Sequence, residues 1–541
     1  MAAILLASAV VIICCVFCNK LSSKLGLPTL LVFIILGMLF GSDGLLKIPF
    51  EDYNFAEEIC SVALIFIMFY GGFGTNWKEA RPVAGKAALL STLGVVLTAG
   101  LVGLFCYFAL GMGLLESLLI GAVISSTDAA SVFSILRSKK LGLKYNTASM
   151  LEVESGSNDP CSYMLTAVVL SVMQGNAEAG NVAYMVFAQL VYGAGMGVII
   201  ALGALFILRR FHFATEGFDA AFVLGVAVLS YAAPSMVGGN GYLSAYLVGL
   251  ILGNARIPNK PSLVHFFDGM TSLMQMLIFF LLGLLSTPSQ LITVLLPALA
   301  IGLFLTFVAR PLSVFAILSP ARCRIRQQLL VSFAGLRGAA SIVFAIMVTV
   351  SGVNTENDIF HIVFCIVLLS ITFQGTLLPL VSKKLGMIDR NANVLRTFND
   401  YIGDVDVQFV KINITDRHPW QDKKIKDLNL PADALLVLVI RGGGSIVPSG
   451  NTILREGDIA VLSAPAFRDE TMVSLIEVEV NKNSRWKGKK IMEYSPAENE
   501  LVIMIKRGQR IIIPRGSTII REGDILVINS PKKVNTLKNA K

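Results

Sequence analysis

Residues 152–160 read EVESGSNDP and place three carboxylates and an asparagine inside an otherwise apolar part of the chain. The residues before them read GLKYNTASML and those after them CSYMLTAVVLSVM. A charged side chain in hydrocarbon is costly, so an ionisable residue within a membrane-spanning helix usually has a function. The stretch therefore predicts a membrane protein whose activity depends on buried charge.

The composition of the whole chain supports a polytopic membrane protein. Of the 541 residues, 55% are hydrophobic and 15% are charged, and the mean hydropathy is +0.71, whereas a soluble protein carries about 25% charged residues. Apolar runs of about 18–25 residues predict about 13 helices before residue 384. Their predicted starts lie near residues 2, 28, 55, 83, 114, 146, 184, 218, 241, 263, 291, 328 and 356.

The basic residues predict the orientation of these helices. If the N-terminus lies outside, nearly every loop lysine and arginine falls on the cytoplasmic side, and the outer loops hold only Lys47. This distribution follows the positive-inside rule. We therefore expect a multi-pass protein of the cytoplasmic membrane with a cytoplasmic C-terminal tail. Membrane orientation accounts for the net charge of +9, and nucleic acid is not an expected partner.

The tail contains an internal repeat. WQDKKI at 420–425 and REGD at 455–458 are followed by WKGKKI at 486–491 and REGD at 521–524. Each copy predicts a short helix, a strand, a glycine turn, a strand, a proline-bounded loop and a strand, and RGGGS at 441–445 is predicted to be a hairpin turn. We expect a transmembrane domain at 1–384, a linker at 385–405, and α+β repeats at 406–470 and 471–541.

This repeat resembles the RCK-C (TrkA-C) module of proteins that regulate potassium conductance. The resemblance covers nearly all of residues 400–535, and no strand followed by G-x-G-x-x-G predicts the companion Rossmann module. Some relatives bind cyclic di-AMP and pair as dimers. The resemblance therefore implies a small nucleotide regulator at the tail; no other cofactor is expected.

Polar residues interrupt the fifth and sixth predicted helices. SSTDAAS at 125–131 contains Thr127 and Asp128, and the sixth helix contains Ser155, Asn158 and Asp159. Residues three and four apart share a helix face, so the last three form one polar stripe. A carboxylate beside hydroxyl and amide oxygens can bind either a small monovalent cation or a proton. The alternative is that these polar groups only hold two helices together.

Glu154 needs a different partner, because it lies about 140° around the helix from Asp159. Glu152 lies nearer the polar stripe. The favoured partner of Glu154 is Arg337, in the apolar stretch FAGLRGAASIVFAI, and Arg310 in FVARPLSV is the alternative. A buried pair of this kind lets both charges remain in the membrane.

The two polar interruptions also predict a symmetry. SSTDAAS lies in the fifth helix and GLRGAAS, at 335–341, in the twelfth. If the seventh helix is a linker, helices 1–6 and 8–13 form two halves that begin on opposite sides of the membrane. Broken helices at equivalent places of inverted repeats indicate a binding site near the midplane.

Three motifs in this order, STDAASVFSIL, LEVESGSNDP and GLRGAAS, resemble the cation/proton antiporter superfamily in its NhaP/NHE branch. The resemblance covers about residues 1–385 and implies a homodimer. It also implies that Asp159 binds cation and proton beside Asn158, while Ser155 and Thr127 supply further oxygens to a monovalent cation. In that family an Asn-Asp pair accompanies electroneutral exchange. Three residues are implied to support this site: Asp128 at a helix crossing, and Glu154 and Arg337 as an ion pair.

One position departs from the family. LIFIMFYGGFGTNW, at 64–77, has Tyr70 where relatives often carry an acidic residue before Gly-Gly. An accessory carboxylate is therefore missing at that position, and a cation-ligand or pH-sensing role there is in doubt.

The sequence is compatible with more than one transport function. The tail favours K+/H+ exchange, with Na+/H+ exchange by the same mechanism as the alternative. A regulated cation channel is a different class, but the sequence has no TVGYG-like filter. A symporter would need a wider cavity with more polar groups. An enzyme is not expected, because the sequence shows no nucleophile–base arrangement and no metal-ligand spacing.

Overall fold

The computed structural model describes residues 6, 9–18, 28–128, 131–132, 135, 141–175, 178–211, 217–389, 407–416, 418–431, 434–442, 444–465, 473–481, 484, 486–493, 501–507 and 510–531. The chain divides into two compact units, Met1–Gly403 and Asp404–Lys541. The first unit is helical and the second contains β-sheets.

The first unit is built from helices that follow the apolar runs. They are α1 (Ala9–Cys18), α2 (Thr29–Phe40), α3 (Tyr53–Gly74), α4 (Trp77–Ala80), α5 (Ala84–Leu110), α6 (Leu114–Ile124), α7 (Thr147–Met173), α8 (Ala179–Arg210), α9 (Phe218–Met236), α10 (Gly241–Asn254), α11 (Lys260–Leu285), α12 (Pro288–Leu318), α13 (Ile325–Phe333), α14 (Ala339–Val350) and α15 (Ile359–Lys384).

Seven of these helices are long and apolar enough to cross a membrane alone, within the described part of the chain. They are α3, α5, α8, α9, α11, α12 and α15. A helix occupies each predicted segment, and the twelfth segment contains two, α13 and α14. Helix α7 spans 27 residues but carries the acidic cluster, which lowers its hydropathy.

Two helices are interrupted where the polar motifs occur. Helix α6 ends at Ile124, and residues 126–128 are not helical; α13 ends at Phe333, and residues 335–338 separate it from α14. The backbone N–H of Asp128 donates to the carbonyl of Leu336 at 2.8 Å. A Cβ on Gly338 would lie 2.3 Å from Asp128 Oδ2. The two non-helical segments therefore cross, and the crossing requires a glycine.

Within the described residues, three helices contain a π-helical segment. These lie at Leu90–Gly94 in α5, Leu305–Ala309 in α12 and Ser370–Gly375 in α15. A π segment widens a helix locally and often occurs near a functional site.

Glycines bring several pairs of helices into close backbone contact, among them α10 with α3 and α11 with α2. A Cβ on Gly249 of α10 would lie 2.0 Å from the carbonyl oxygen of Phe69 in α3, and one on Gly283 of α11 would lie 2.2 Å from that of Ile34 in α2. Small residues at such contacts are typical of helices that associate in a membrane.

A two-stranded sheet, which we call the clasp, joins distant parts of the first unit. Strand β1 (Gly142–Leu143) pairs antiparallel with β2 (Ile388–Asp389). Lys144 extends the contact, since its backbone N–H donates to Met387 O at 2.9 Å and its Nζ to Gly386 O at 2.8 Å. The clasp links the chain just before α7 to the chain just after α15.

The described part of the second unit contains two matching four-stranded antiparallel sheets. The first has the order β3-β6-β4-β5, and the second β7-β10-β8-β9. Their strands are β3 (Val407–Asn413), β4 (Leu435–Arg441), β5 (Gly444–Ile446), β6 (Ile459–Pro465), β7 (Val473–Glu479), β8 (Leu501–Arg507), β9 (Arg510–Ile512) and β10 (Asp524–Pro531). One-turn 3₁₀ helices lie at Ile425–Asp427 and Ile491–Glu493.

Equivalent ion pairs also occur in the two sheets. Arg441 donates from Nε and Nη2 to the buried carboxylate of Asp458 at 2.7 Å, and Arg507 donates in the same way to Asp524 at 2.7 and 2.8 Å. The aspartate of each pair belongs to REGD, so the predicted repeat is confirmed. The sequence prediction was incomplete, because β3 and β7 precede the recognisable part of each copy and add a fourth strand.

Candidate functional site

Asp159 lies in the middle of α7 and is 5% exposed. Its Oδ1 accepts a hydrogen bond from the hydroxyl of Ser126, which lies in the non-helical segment after α6. The carboxylate is thereby held against the helix crossing. Ser126 was absent from the predicted site, although it belongs to the SSTDAAS motif.

Asn158 and Ser155 contact the same segment through Thr127. The amide nitrogen of Asn158 donates to Thr127 Oγ1, and the Ser155 hydroxyl donates to the Thr127 carbonyl oxygen. Asn158 is fully buried, and its amide oxygen has no hydrogen-bond partner among the described residues. The structure thus brings Thr127, which the family resemblance implies, together with the stripe of Ser155, Asn158 and Asp159 that the helix spacing predicts.

Asp128 takes part in the crossing itself. Besides its backbone bond to Leu336, its Oδ2 accepts from the Ser131 hydroxyl at 2.5 Å and its Oδ1 from the Ser131 N–H at 3.3 Å. Asp128 therefore lies at the crossing, where the family resemblance places it.

The predicted ion pair between Glu154 and Arg337 is wrong. Glu154 pairs with Arg310, which follows the π-helical segment of α12, and both side chains are buried. Arg337 Nη1 instead donates to the carbonyls of Ser125 and Ser126 at 2.8 and 2.6 Å. The end of a helix leaves carbonyls unpaired and carries partial negative charge. Arg337 Nη1 therefore has its partners at the end of α6, and Arg337 is not the partner of Glu154.

A cavity of about 360 Å³ reaches this site. Asp159, Ser155 and Glu152 line it from α7, and Tyr70 and Asp268 line it from α3 and α11. The Tyr70 hydroxyl donates to Asp268 Oδ1 at 3.2 Å. Position 70 thus has no carboxylate of its own, but the tyrosine there contacts the carboxylate of Asp268 from another helix.

The side of the cavity that α11 forms was not predicted from the sequence. Asp268, Thr271, Ser272 and Gln275 all line the cavity. Their spacing of three, four and seven residues places them on one face of a helix. That spacing was a detectable signal within HFFDGMTSLMQMLIFF, at 265–280.

Comparison with known proteins assigns the fold. The family "Sodium/hydrogen exchanger, transmembrane" matches residues 7–384, and the TrkA-C domain matches residues 409–466 and 475–540. The chain belongs to the sodium/hydrogen exchanger family. Both predicted resemblances, to these exchangers and to TrkA-C modules, are confirmed, and the family is one of membrane transporters.

Several relatives of this exchanger have named activities. The chain is 37% identical over 442 residues to "K(+)/H(+) antiporter NhaP" of Alkalimonas amylolytica, covering 81% of this chain and 77% of that protein. It is 33% identical over 450 residues to "K(+)/H(+) antiporter NhaP2" of Shewanella sp. strain MR-4, covering 82% and 78%. It is 25% identical over 397 residues to "Na(+)/H(+) antiporter ApNhaP" of Aphanothece halophytica, covering 70% and 73%.

A solved structure shows the same fold. The exchanger superposes on the sodium proton antiporter MjNhaP1 from Methanocaldococcus jannaschii at pH 8 with a TM-score of 0.61 and 23% sequence identity. The match covers 68% of this chain and 97% of MjNhaP1. The helical membrane unit therefore has the fold of an antiporter.

Proposed function

We propose that this chain is a K+/H+ antiporter in which cation and proton compete for Asp159. The observation that carries the proposal is the position of Asp159, a buried carboxylate on the wall of a cavity and beside crossing helix ends. When Asp159 is ionised, its oxygens can bind a monovalent cation together with oxygens of Ser155 and Thr127. When it is protonated, that negative charge is gone and the cation leaves.

A carboxylate that binds either a cation or a proton gives exchange if its cavity opens to only one side of the membrane at a time. We propose alternating access between two inverted halves, within about 13 spanning helices. The crossing of the segments after α6 and α13 supports that arrangement. With Asn158 beside Asp159, a single titrating carboxylate supports electroneutral exchange of one cation for one proton.

The choice of potassium rests on relatives and on the tail. The relatives that are 37% and 33% identical are named K(+)/H(+) antiporters, and the tail resembles a module of proteins that regulate potassium conductance. Na+/H+ exchange is the second candidate, because ApNhaP is named a Na(+)/H(+) antiporter. We also propose a homodimer in the cytoplasmic membrane, with its N-terminus outside and its tail cytoplasmic.

We propose that the tail regulates exchange by binding a small nucleotide such as cyclic di-AMP. Two TrkA-C copies support this. Cyclic di-AMP should change the exchange rate of the full chain and leave that of a variant lacking residues 400–541 unchanged. An unchanged rate in both would eliminate this ligand.

The test uses purified protein in liposomes with an imposed pH gradient and a pH-sensitive dye. Potassium should collapse the gradient, sodium should do so less, and Asp159→Ala should be silent. Glu58→Gln, an exposed carboxylate on α3, is the matched control and should retain exchange. Equal rates with sodium would reject the potassium preference but not the mechanism. If neither cation moves protons, exchange is rejected and channel currents become the alternative.

A further inference from the structure

A second cavity, which we call the lateral pocket, shares no lining residue with the cavity at Asp159. It has a volume of about 330 Å³ and is lined by α12, α15 and the ends of the α13–α14 break. Its lining residues are Leu299, Gly302, Leu303, Leu305, Thr306, Phe307, Phe333, Arg337, Ile366, Leu369, Ser370, Phe373, Gln374 and Leu377. Apart from Arg337 these side chains are uncharged, and most are apolar.

Two π-helical segments form part of the pocket wall. Leu305 and Phe307 belong to the segment Leu305–Ala309, and Ser370 and Phe373 to the segment Ser370–Gly375. Each segment lies near the middle of its helix, since α12 spans Pro288–Leu318 and α15 spans Ile359–Lys384. The lateral pocket is therefore at the depth of the hydrocarbon core, where the lipid chains lie.

The outer rim of the pocket is open and apolar. Phe307 is 66% exposed, Phe373 59% and Leu303 50%. On a membrane-spanning helix such side chains contact lipid. A ligand of this pocket consequently arrives from the bilayer and must be largely hydrocarbon.

The inner end of the pocket is cationic. Arg337 is 2% exposed, and its Nε has no hydrogen-bond partner in the described part of the chain. Its Nη1 is used by the carbonyls of Ser125 and Ser126, while Glu154 is paired with Arg310. A buried N–H without an acceptor is unfavourable. The guanidinium at this end thus has room in its hydrogen bonding for an anionic acceptor.

We propose that the lateral pocket binds a long-chain carboxylate, with its chain against α12 and α15 and its carboxylate at Arg337. A carboxylate is the small anionic group that matches a guanidinium. A phospholipid headgroup would have to leave the interface and enter the hydrocarbon core. A fatty acid can reach that depth, because its protonated form is neutral and can ionise beside the guanidinium.

The test is photolabelling of the full-length protein in phosphatidylcholine vesicles with a diazirine-bearing palmitic acid. Labelling is preferred to a transport assay because fatty acids themselves carry protons across vesicles. Labelled peptides should come from α12 and α15. Oleic acid should compete about tenfold or more better than oleyl alcohol, since a hydrogen bond between charged groups is lost with the alcohol.

Gly302→Trp should fill the pocket. A Cβ at Gly302 would have its nearest neighbour, Ile366 Cγ2, at 4.0 Å, so there is room for the side chain to begin, and the indole ring would then occupy the pocket that Gly302 lines. Leu296→Trp is the matched control, since Leu296 lies on the same helix, is 78% exposed and does not line the pocket. Labelling should fall several-fold in the first variant and stay unchanged in the second.

Two results would overturn the proposal. Labelling that survives Gly302→Trp places the fatty acid elsewhere. Equal competition by oleyl alcohol shows that the pocket takes hydrocarbon without recognising a carboxylate. The competition experiment needs no variant, so it decides the matter even if Gly302→Trp fails to fold.

Discussion

Asp268 adds a carboxylate to the cavity that leads to Asp159, and it belongs to a different helix. Two unit charges about 4 Å apart in water interact by about 1 kcal/mol, which corresponds to roughly a fivefold change in an equilibrium constant. We therefore expect Asp268→Asn to raise the KM for potassium roughly fivefold and to leave the maximal rate near that of the native protein. The measurement is the initial rate of proton movement in proteoliposomes as a function of potassium concentration.

Glu58→Gln serves as the control for Asp268→Asn, because Glu58 is exposed and does not line the cavity. A fall in the maximal rate with an unchanged KM would show that Asp268 does not attract the cation.

The partner of Glu154 can be established by mutation. Glu154→Gln leaves Arg310 buried without a carboxylate, and breaking a buried ion pair costs about 3–5 kcal/mol. Thermal unfolding of the detergent-solubilised protein should therefore shift to lower temperature. Adding Arg310→Met should restore part of the loss, because no buried charge is then left unpaired. Adding Arg337→Met should not, and rescue by that change would mean that Glu154 pairs with Arg337.

These residues show what local spacing can and cannot predict. Ser155, Asn158 and Asp159 form a stripe because the helix period alone places them on one face. The choice between Arg310 and Arg337 as partner of Glu154 depends on how distant helices pack, and each arginine lies in an apolar run. Asp268 was missed although its helical spacing with Thr271 and Gln275 is visible, because which face of α11 lines the cavity depends on how distant helices pack.

At the scale of elements, the glycine contact between α3 and α10 permits a sharp test. A Cβ on Gly249 would lie 2.0 Å from a backbone carbonyl oxygen, and backbone atoms cannot move without separating the helices. Overpacking a core typically costs about 1–3 kcal/mol, so Gly249→Ala should lower the unfolding temperature. Gly203→Ala in α8 is the control, since nothing lies within 4 Å of its Cβ position. Equal stability of both variants would contradict the close contact.

Helix positions were predictable because each apolar run must satisfy its own backbone hydrogen bonds in a membrane. The breaks after α6 and α13 were also indicated by the polar motifs that interrupt those runs. By contrast, the pairing of β1 with β2 joins residues far apart in sequence, and two-residue strands carry no recognisable pattern. Strands β3 and β7 were missed because they precede Trp420 and Trp486, where the matching residues of the two copies begin.

At the scale of the whole molecule, the tail should lose stability in acid. Hydrogen bonds from Arg441 hold the pKa of Asp458 below its usual range. For Asp524, burial raises the pKa, but hydrogen bonds from Arg507 and the Arg521 N–H outweigh it and lower the pKa overall. A carboxyl with a lowered folded-state pKa stabilises the fold above its unfolded value of about 3.9, and this contribution disappears as the pH falls through the folded value.

The measurement is tryptophan fluorescence of full-length Trp77→Phe, in which Trp420 and Trp486 report on the two tail cores. Asp458→Asn with Asp524→Asn should unfold the tail at lower temperature at pH 7, with a smaller further loss below about pH 4. Asp427→Asn, at an exposed carboxylate, should behave as the parent. An identical acid dependence in the double variant would show that these pairs do not control it.

The clasp makes a closed ring of the backbone from Leu143 to Ile388, with α7 and α15 at its two ends. Any tension on the chain beyond Asp389 is therefore shared between α15 and the hydrogen bonds to residues 142–144. Those bonds lie at the foot of α7, the helix that carries Asp159. In mechanical terms, the load path out of the membrane unit begins at the N-terminal end of α7.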